Sequence, residues 1–337
     1  METDRQFSHR VAVIIPCYRV GNNIYSVLSR IGPEVHCIYL VDDRCPDNTG
    51  SLVEKYNQDC NGDRRIHVLY HKTNKGVGGA VITGYQQALT DGATILIKLD
   101  GDGQMNPQFI PHLIAPIIAG EADYTKGNRF YYPEHLQEMP ALRIFGNAGL
   151  SFLTKLSSGY WELFDPTNGY TAIHHLALEL IPLHKLSQRF FFESDLLFRL
   201  NTIQAVVMDI PMASRYGDEE SNLKILSVLW PFFWGNCYNF TKRIFYNYYL
   251  RSFSIASLEL LLAIPLLLFG FGFGSVAWLN SFLTGEPATA GTVMLAALPI
   301  ILGVQLILSF INYDIAIAPR IPIHRKLMPG SQNPPDS

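Results

Sequence analysis

Over the first two hundred positions, apolar residues come in short bursts rather than in one long period. Val11–Pro16 (VAVIIP), Cys37–Val41 (CIYLV), Ile66–Tyr70 (IHVLY) and Thr94–Leu99 are runs of strand length, rich in β-branched residues. Helix-length stretches lie between them: Asn22–Ile31, Thr49–Tyr56 and Gly78–Leu89. Apolar strands buried on both faces and separated by helices predict a mostly parallel α/β sheet. Each strand ends in polar or special residues: Pro16-Cys17-Tyr18, Asp42-Asp43, His71-Lys72 and Asp100-Gly101-Asp102. Open α/β sheets bind ligands at the carboxyl edge, so these four ends are the candidate site.

Beyond position 225 the pattern changes. Leu260–Phe282 and Val293–Tyr313 are continuous apolar stretches without a charge. Each is long enough to cross about 30 Å of hydrocarbon, and two transmembrane helices are expected rather than a buried pair in a soluble core. The loop between them, Leu283–Thr292, has no Lys or Arg, whereas Lys242, Arg243 and Arg251 precede the pair and Arg320, Arg325 and Lys326 follow it. This asymmetry predicts that the N-terminal domain and the tail both face the cytoplasm. Asn222–Phe253 interleaves Trp230, Phe232, Phe233, Trp234, Tyr238 and further aromatics with Lys224, Lys242 and Arg243. That mixture suits helices lying at the membrane interface, or a helical hairpin packed under the sheet.

Composition sharpens this division. Charged residues make up 16% of the 337 positions, against about 25% in ordinary soluble domains, and the deficit falls mostly in the last third. A net charge of −3 gives no reason to expect nucleic acid as a partner. Cys17, Cys37, Cys45, Cys60 and Cys237 are scattered, which predicts reduced thiols and neither a disulfide framework nor a zinc site. The polar start METDRQFSHR reads as lacking a cleavable signal peptide.

The chemistry concentrates in Asp100-Gly101-Asp102-Gly103-Gln104. Alternate residues in an extended segment face the same way, so Asp100, Asp102 and Gln104 are expected to converge while the glycines keep the backbone compact. Such oxygen ligands suit Mg²⁺ or Mn²⁺ with positions left for water and substrate phosphate. A polar turn is the plainer reading. A calcium loop of the EF-hand kind is excluded, because Met105 and Pro111 stand where its glycine and terminal glutamate belong. Asn74–Ala80 (NKGVGGA) is a glycine-rich turn opening a helix and is similar to a phosphate cradle, although it is neither a P-loop nor G-x-G-x-x-G. Asp42 and Asp43 could bind ribose or base, or cap the next helix.

Taken together, VAVIIPCY, IYLVDDRCPDNTG, NKGVGGA, KLDGDGQMNP, KGNRF, DPTNGYTAI and FFFESDLLFRL resemble, in order, the motifs of glycosyltransferase family 2 enzymes with a GT-A fold. With two C-terminal spans the chain resembles the polyprenyl-phosphate branch, similar to dolichol-phosphate mannose synthases and bacterial polyprenyl-phosphate glucosyltransferases. The resemblance covers about residues 10–315 and implies a GT-A catalytic domain over 1–218, juxtamembrane helices over 219–254, transmembrane helices within 255–315 and a cytoplasmic tail over 316–337. Where family members often continue Pro-x-Tyr with Asn-Glu, this chain has Arg19-Val20.

The same resemblance implies the roles. The donor is a nucleotide-sugar, UDP-linked rather than GDP-linked. The acceptor is a polyprenyl phosphate, undecaprenyl rather than dolichol, and transfer inverts the anomeric centre. Pro16, Tyr18, Asp43, Lys75, Gly76, Asp100 and Asp102 are expected around the nucleotide-sugar, with Asp100, Asp102 and Gln104 on a Mg²⁺ or Mn²⁺ ion that stabilises the departing diphosphate. Arg129, Arg143 and Arg215, with Ser221 and Lys224, are expected to hold the acceptor phosphate, which is anionic and needs alignment more than a base. Asp165 is expected near the sugar, to orient a hydroxyl, act as a weak base or stabilise positive charge in the transition state. Glu193 and Asp195 are assigned to sugar contact or to positioning the arginines.

Two rivals differ in class. A processive polysaccharide synthase would carry a Q-x-x-R-W segment and more spans, and Gln188-Arg189-Phe190 is a superficial echo of the former. A non-catalytic lipid-phosphate-binding protein would have lost the acidic triplet, which is intact here. Glu259 and Gln305, polar groups in or beside the spans, are candidates to join helices or protomers into an oligomer.

Overall fold

The computed structural model describes residues 9–21, 23–59, 65–131, 141–165, 168–212 and 225–327. Seven strands, β1 (Val11–Cys17), β2 (Cys37–Asp42), β3 (Arg65–Tyr70), β4 (Ile95–Lys98), β5 (Tyr124–Asn128), β6 (Thr171–His174) and β7 (Val207–Pro211), form one sheet in the order β3-β2-β1-β4-β6-β5-β7. β6 alone runs against its neighbours β4 and β5; the other pairings are parallel. The sheet is therefore mostly parallel, as the alternation of strands and helices predicts.

The central strands show why apolar runs without alternation become strands here. Every residue of β1 is buried, and successive side chains enter two different cores. Ala12 and Ile14 join Tyr39, Leu96 and Ile173 on one face. Val13, Ile15 and Cys17 join Ile38, Leu40 and Ile97 on the other. The first face is covered by α3 (Gly76–Thr90) and α7 (Phe192–Thr202), the second by α1 (Asn23–Arg30) and α4 (Ile110–Ile118). The remaining helices, in chain order, are α2 (Thr49–Asp59), α5 (Ala141–Ser158), α6 (His175–Glu179), α8 (Ile225–Phe245), α9 (Ile255–Thr284), α10 (Ala290–Ala316) and α11 (Ile323–Leu327), with a π-helical turn over Tyr246–Arg251.

The reversal of β6 matters for the site. Because Thr171 pairs with both Lys98 and Lys126, the chain enters β6 at the edge where β4 and β5 end. The segment before β6, with Asp165, Asn168 and Gly169, therefore joins the carboxyl ends of the other strands.

Two compact units divide the chain, one of residues 1–240 with 319–337, the other of 241–318. The C-terminal segment thus belongs to the sheet-bearing unit. Ile323 is buried in the first core, and Asp123 ties the segment down. Its Oδ2 accepts from the Ile323 amide at 2.9 Å and from the Val206 amide at 2.8 Å. Its Oδ1 accepts from the His324 amide at 3.1 Å and lies 2.7 Å from His324 Nδ1.

In the second unit, α9 and α10 are 30 and 27 residues long, apolar enough to cross a membrane, and only 11% of the most apolar window of each is buried. Core helices of a soluble protein would hide these faces. Here Leu268, Trp278, Phe282 and Leu283 are each at least 70% exposed, which calls for an apolar surrounding phase. Small residues let the two helices approach: a Cβ on Gly270 would lie 2.6 Å from Ile300 Cγ1, and one on Gly303 2.7 Å from Leu267 Cγ. Glu259 accepts from Ser309 Oγ at 2.6 Å, joining α9 to α10 within one chain, whereas Gln305 is exposed. Arg243 grips Asp314 with two hydrogen bonds of 2.6 and 2.9 Å, and Tyr248 donates to the same carboxylate at 2.6 Å.

Candidate active site

The acidic motif is a turn, not a continuation of the strand. β4 ends at Lys98, Gly101-Asp102 form a turn, and Gly103 takes φ +83°, a conformation that favours glycine. The expectation that alternate residues of an extended segment would converge is corrected on this point. The turn is closed instead by Asp102, whose Oδ1 accepts from the Gln104 amide at 3.0 Å and whose carbonyl accepts from Asn23 Nδ2 at 3.0 Å. Asp100 and Asp102 are partly exposed and Gln104 is exposed. These carboxylate and amide oxygens are the donor set a hard divalent cation prefers, and their partial exposure leaves room for a phosphate beside it. By donor type the three residues suit such an ion; among the described residues no three His, Cys, Asp or Glu side chains cluster as a metal site.

Asp42 and Asp43 are both buried and both occupied. Asp42 caps the entry to α2, accepting from the Cys45 amide at 2.6 Å and the Gly50 amide at 2.9 Å. Asp43 accepts from the amides of Lys75 and Gly76, each at 2.8 Å, and lies 2.7 Å from His71 Nδ1. The amides expected to cradle a phosphate are thus committed to Asp43. The glycines that follow have a packing reason. A Cβ on Gly78 would lie 2.4 Å from the Ser187 carbonyl oxygen and one on Gly76 2.7 Å from that of Gln188, while the Gly79 amide donates to Gln188 at 2.9 Å. Only glycine lets the loop before α7 sit this close to α3. The Lys75 side chain is exposed at the edge, Pro16 is buried in β1, and Tyr18 is 46% exposed beyond it.

Across the edge, β5 delivers Arg129. Its Nε donates to Asp165 Oδ2 at 2.8 Å and its Nη2 to Oδ1 at 3.0 Å, a two-pronged pair, while its own amide reaches Oδ2 at 3.3 Å. Asp165 is completely buried; the Arg129 side chain is 34% exposed. Both oxygens of Asp165 accept from the guanidinium, so the carboxylate fixes the direction in which Arg129 points. Lys126 and Asp209 support this corner from below. The Lys126 ammonium donates to the Asn168 carbonyl, and Asp209 Oδ2 accepts from Asn128 Nδ2 at 3.1 Å and from the Phe164 amide at 2.9 Å. Burial lifts the Asp209 carboxyl from 3.8 to about 6, and burial lowers Lys126 from 10.5 to about 8.

The two acids of FFFESD diverge. Asp195 fixes structure: it accepts from the Ser187 amide at 3.0 Å, Arg199 Nε at 3.2 Å and Asn239 Nδ2 at 3.2 Å. Glu193 points to the acidic turn instead, with Oε1 3.1 Å from Lys98 Nζ, which is also 3.0 Å from Asp100 Oδ1. Neither acid pairs with Arg129 in the contacts above. Arg143 lies on α5 with its side chain outside the described residues, and Arg215, Ser221 and Lys224 also lie outside them.

Four residues went unread in the sequence. His71 stands in the sequence only as a strand end, and Lys98 lies unremarked in an apolar run, where its charge is the available signal, since lysine is rarely buried without a partner. Asp209 and Asp123 carry no motif signal at all.

Residues 12–181 match the family model described as glycosyl transferase family 2. The chain is 31% identical over 216 residues to a UDP-N-acetylglucosamine–dolichyl-phosphate N-acetylglucosaminyltransferase of Methanococcus voltae, covering 61% of this chain and 86% of that one. It is 29% identical over 209 residues to a polyprenol monophosphomannose synthase of Mycolicibacterium smegmatis, covering 61% and 77%. Among solved structures, glucosyl-3-phosphoglycerate synthase from Mycobacterium tuberculosis, in complex with Mn²⁺, UDP and phosphoglyceric acid, superposes with a TM-score of 0.51 at 16% identity, over 70% of this chain and 78% of that one; this likeness is one of fold. The sheet with its reversed β6, the acidic turn at its carboxyl edge and the match over half the sequence agree: the chain belongs to glycosyl transferase family 2 and is a glycosyltransferase.

Proposed function

We propose that this enzyme transfers one sugar from a nucleotide-sugar, UDP-linked in preference to GDP-linked, to a polyprenyl phosphate, with inversion at the anomeric carbon. The observation that carries the reading is the Arg129–Asp165 pair: a guanidinium fixed by a fully buried carboxylate at the same sheet edge as the acidic turn. The relative from Methanococcus voltae is named for UDP-N-acetylglucosamine and dolichyl phosphate, and that from Mycolicibacterium smegmatis for making polyprenol monophosphomannose.

On this reading Asp100, Asp102 and Gln104 hold a Mg²⁺ or Mn²⁺ ion, which supplies Lewis-acid stabilisation of the departing diphosphate. Tyr18 and Lys75 line the nucleotide side. Pro16, Asp43 and Gly76 shape it, Asp43 by holding the Lys75-Gly76 turn. Arg129, with Arg143, Arg215, Ser221 and Lys224, holds the lipid phosphate and aligns one oxygen for attack. The nucleophile is already an anion, so no side chain is assigned as base. Asp165 keeps Arg129 aimed. α9 and α10 anchor the enzyme in an inner membrane, with the sheet-bearing unit on the cytoplasmic side, and the exposed Trp230, Trp234 and Tyr238 of α8 suit the interface.

The test is a donor screen on the purified protein in detergent, with Mn²⁺ or Mg²⁺, a short polyprenyl phosphate and a panel of UDP- and GDP-sugars, read by mass spectrometry of the lipid. A lipid gaining one hexose or N-acetylhexosamine, and only with Asp102 intact, supports the reading and names the donor. Nucleotide binding without transfer to lipid from any donor overturns it. Product NMR showing retained configuration overturns the inversion.

A further inference from the structure

The ammonium of Lys98 is almost entirely buried, at 2% exposure, on a strand whose neighbours Ile95, Leu96, Ile97 and Leu99 are all apolar and buried. Folding alone gives no reason for a charge here, because an apolar side chain would be cheaper to bury. Its position has a chemical reason. Nζ lies 3.0 Å from Asp100 Oδ1 and 3.1 Å from Glu193 Oε1, so one cation is shared between the acidic turn after β4 and the first turn of α7. The segment before β6 closes over the pair. A Cβ on Gly169 would lie 2.1 Å from Lys98 Nζ and 3.1 Å from Asp100 Oδ2, so glycine is what leaves the ammonium its place. Three separate motifs, KLDGDGQ, DPTNGY and FFFESD, meet at this one atom.

We propose that Lys98 and Glu193 are positioning residues that set the divalent-cation affinity of Asp100, Glu193 doing so by sharing the Lys98 ammonium. The proposal rests on the reading of Asp100 as a cation ligand. A Lys98 ammonium compensated by Asp100 alone would compete with a metal ion for that carboxylate. Glu193 takes part of the same positive charge and leaves Asp100 available. The two acids and one base carry a net charge of about −1 between them, enough to favour a cation without leaving two buried carboxylates facing each other.

The experiment titrates Mn²⁺ into the full-length protein in detergent with UDP present, reading free Mn²⁺ by electron paramagnetic resonance. Variants are Glu193→Gln, Lys98→Met, the double variant and Asp100→Asn. Glu193→Gln is expected to weaken Mn²⁺ binding about tenfold, or about 1.4 kcal/mol, in protein that is still folded at the assay temperature. Lys98→Met removes the competitor and is expected to bind Mn²⁺ at least as tightly as the wild type. In that background Glu193→Gln is expected to change affinity less than about twofold, because the coupling in a double-mutant cycle runs through Lys98.

An equal loss from Glu193→Gln with and without Lys98 overturns the proposal, since the effect would then act through space. No loss from Glu193→Gln alone overturns it too, and that arm stands even if Lys98→Met fails to fold. Should Asp100→Asn leave Mn²⁺ affinity unchanged, the cation-ligand reading fails and takes the proposal with it. A loss at Asp100→Asn without one at Glu193→Gln leaves the site standing and sinks the proposal alone.

Discussion

Arg129 and Asp165 are bound to each other by two parallel hydrogen bonds, of 2.8 and 3.0 Å, with the carboxylate fully buried and the guanidinium a third exposed. The pair converts a flexible surface arginine into a fixed cation. Asp165→Asn keeps the shape but loses the charge and one acceptor. It is expected to raise the KM for lipid phosphate at least about tenfold and to cost about 1.5–3 kcal/mol of stability, the range for a hydrogen bond to a charged group. Steady-state kinetics over lipid phosphate concentration, with a urea titration, checks both. A normal KM would remove Arg129 from the acceptor site.

The acidic turn gives the second prediction. Stripping divalent ions with EDTA is expected to stop transfer, and adding back Mn²⁺ or Mg²⁺ to restore it. Asp102→Ala is expected to lower kcat on the order of 10²-fold or more, the scale of losing one preorganised stabiliser of transition-state charge. Part of that loss is geometric, because Asp102 also closes its own turn on the Gln104 amide. Full activity in EDTA would count against a cation at this turn.

Lys126 and Asp209 stand opposite each other in register on β5 and β7, and their shifts act in different pH windows. Asp209 is raised to about 6 by burial, which the Phe164 amide and Lys126 only partly offset. Between about pH 4 and 6 the folded protein keeps a proton that the unfolded chain has lost, so stability falls as pH rises through that window. Lys126 is lowered to about 8 by burial, which Asp165 and Glu193 only partly offset. Between about pH 8 and 10.5 the unfolded chain holds the extra proton, so stability rises with pH there, and it is lost as pH falls back through 8. Asp209→Asn is expected to flatten the lower window by up to one proton per molecule. Urea midpoints at pH 4.5, 7 and 9.5 measure it, and an unchanged slope would show that Asp209 does not titrate there.

Asp123 makes the fourth prediction, because one carboxylate holds three backbone amides and an imidazole. Burial would raise its pKa, but the His324 side chain and the amides of Val206, Ile323 and His324 outweigh that and hold it below 3.8. Its contribution is therefore present above about pH 4 and lost as pH falls below it. Asp123→Ala is expected to release the C-terminal segment, seen as faster proteolytic clipping after Arg320 or Arg325, while the core of the sheet stays protected. Equal clipping in wild type and variant would mean that core packing of Ile323 holds the segment unaided.

The sequence by itself determined the elements and the edge. VAVIIPC, CIYLVD and ILIK are apolar at every position or nearly so, and such runs can be satisfied only inside a sheet covered on both faces. The two long apolar helices were equally legible, since each stretch runs without a charge for the length a membrane-crossing helix needs. The motif order singled out the acidic motif, Arg129 and Asp165 as site candidates but did not say which touched which.

Tertiary structure decided that. Asp165 and Arg129 are 36 positions apart, and Lys98 and Glu193 meet because α7 packs on the sheet face that Leu96 and Lys98 share. The glycines of NKGVGGA looked like a phosphate cradle because local sequence shows what a backbone can do, not what approaches it; here the Ser187-Gln188 loop approaches. Asp123 and Asp209 were invisible for the same reason. Hydrogen bonds and ion pairs depend on separations of about 3 Å between atoms far apart in the chain, and only the folded arrangement of strands and helices sets those distances.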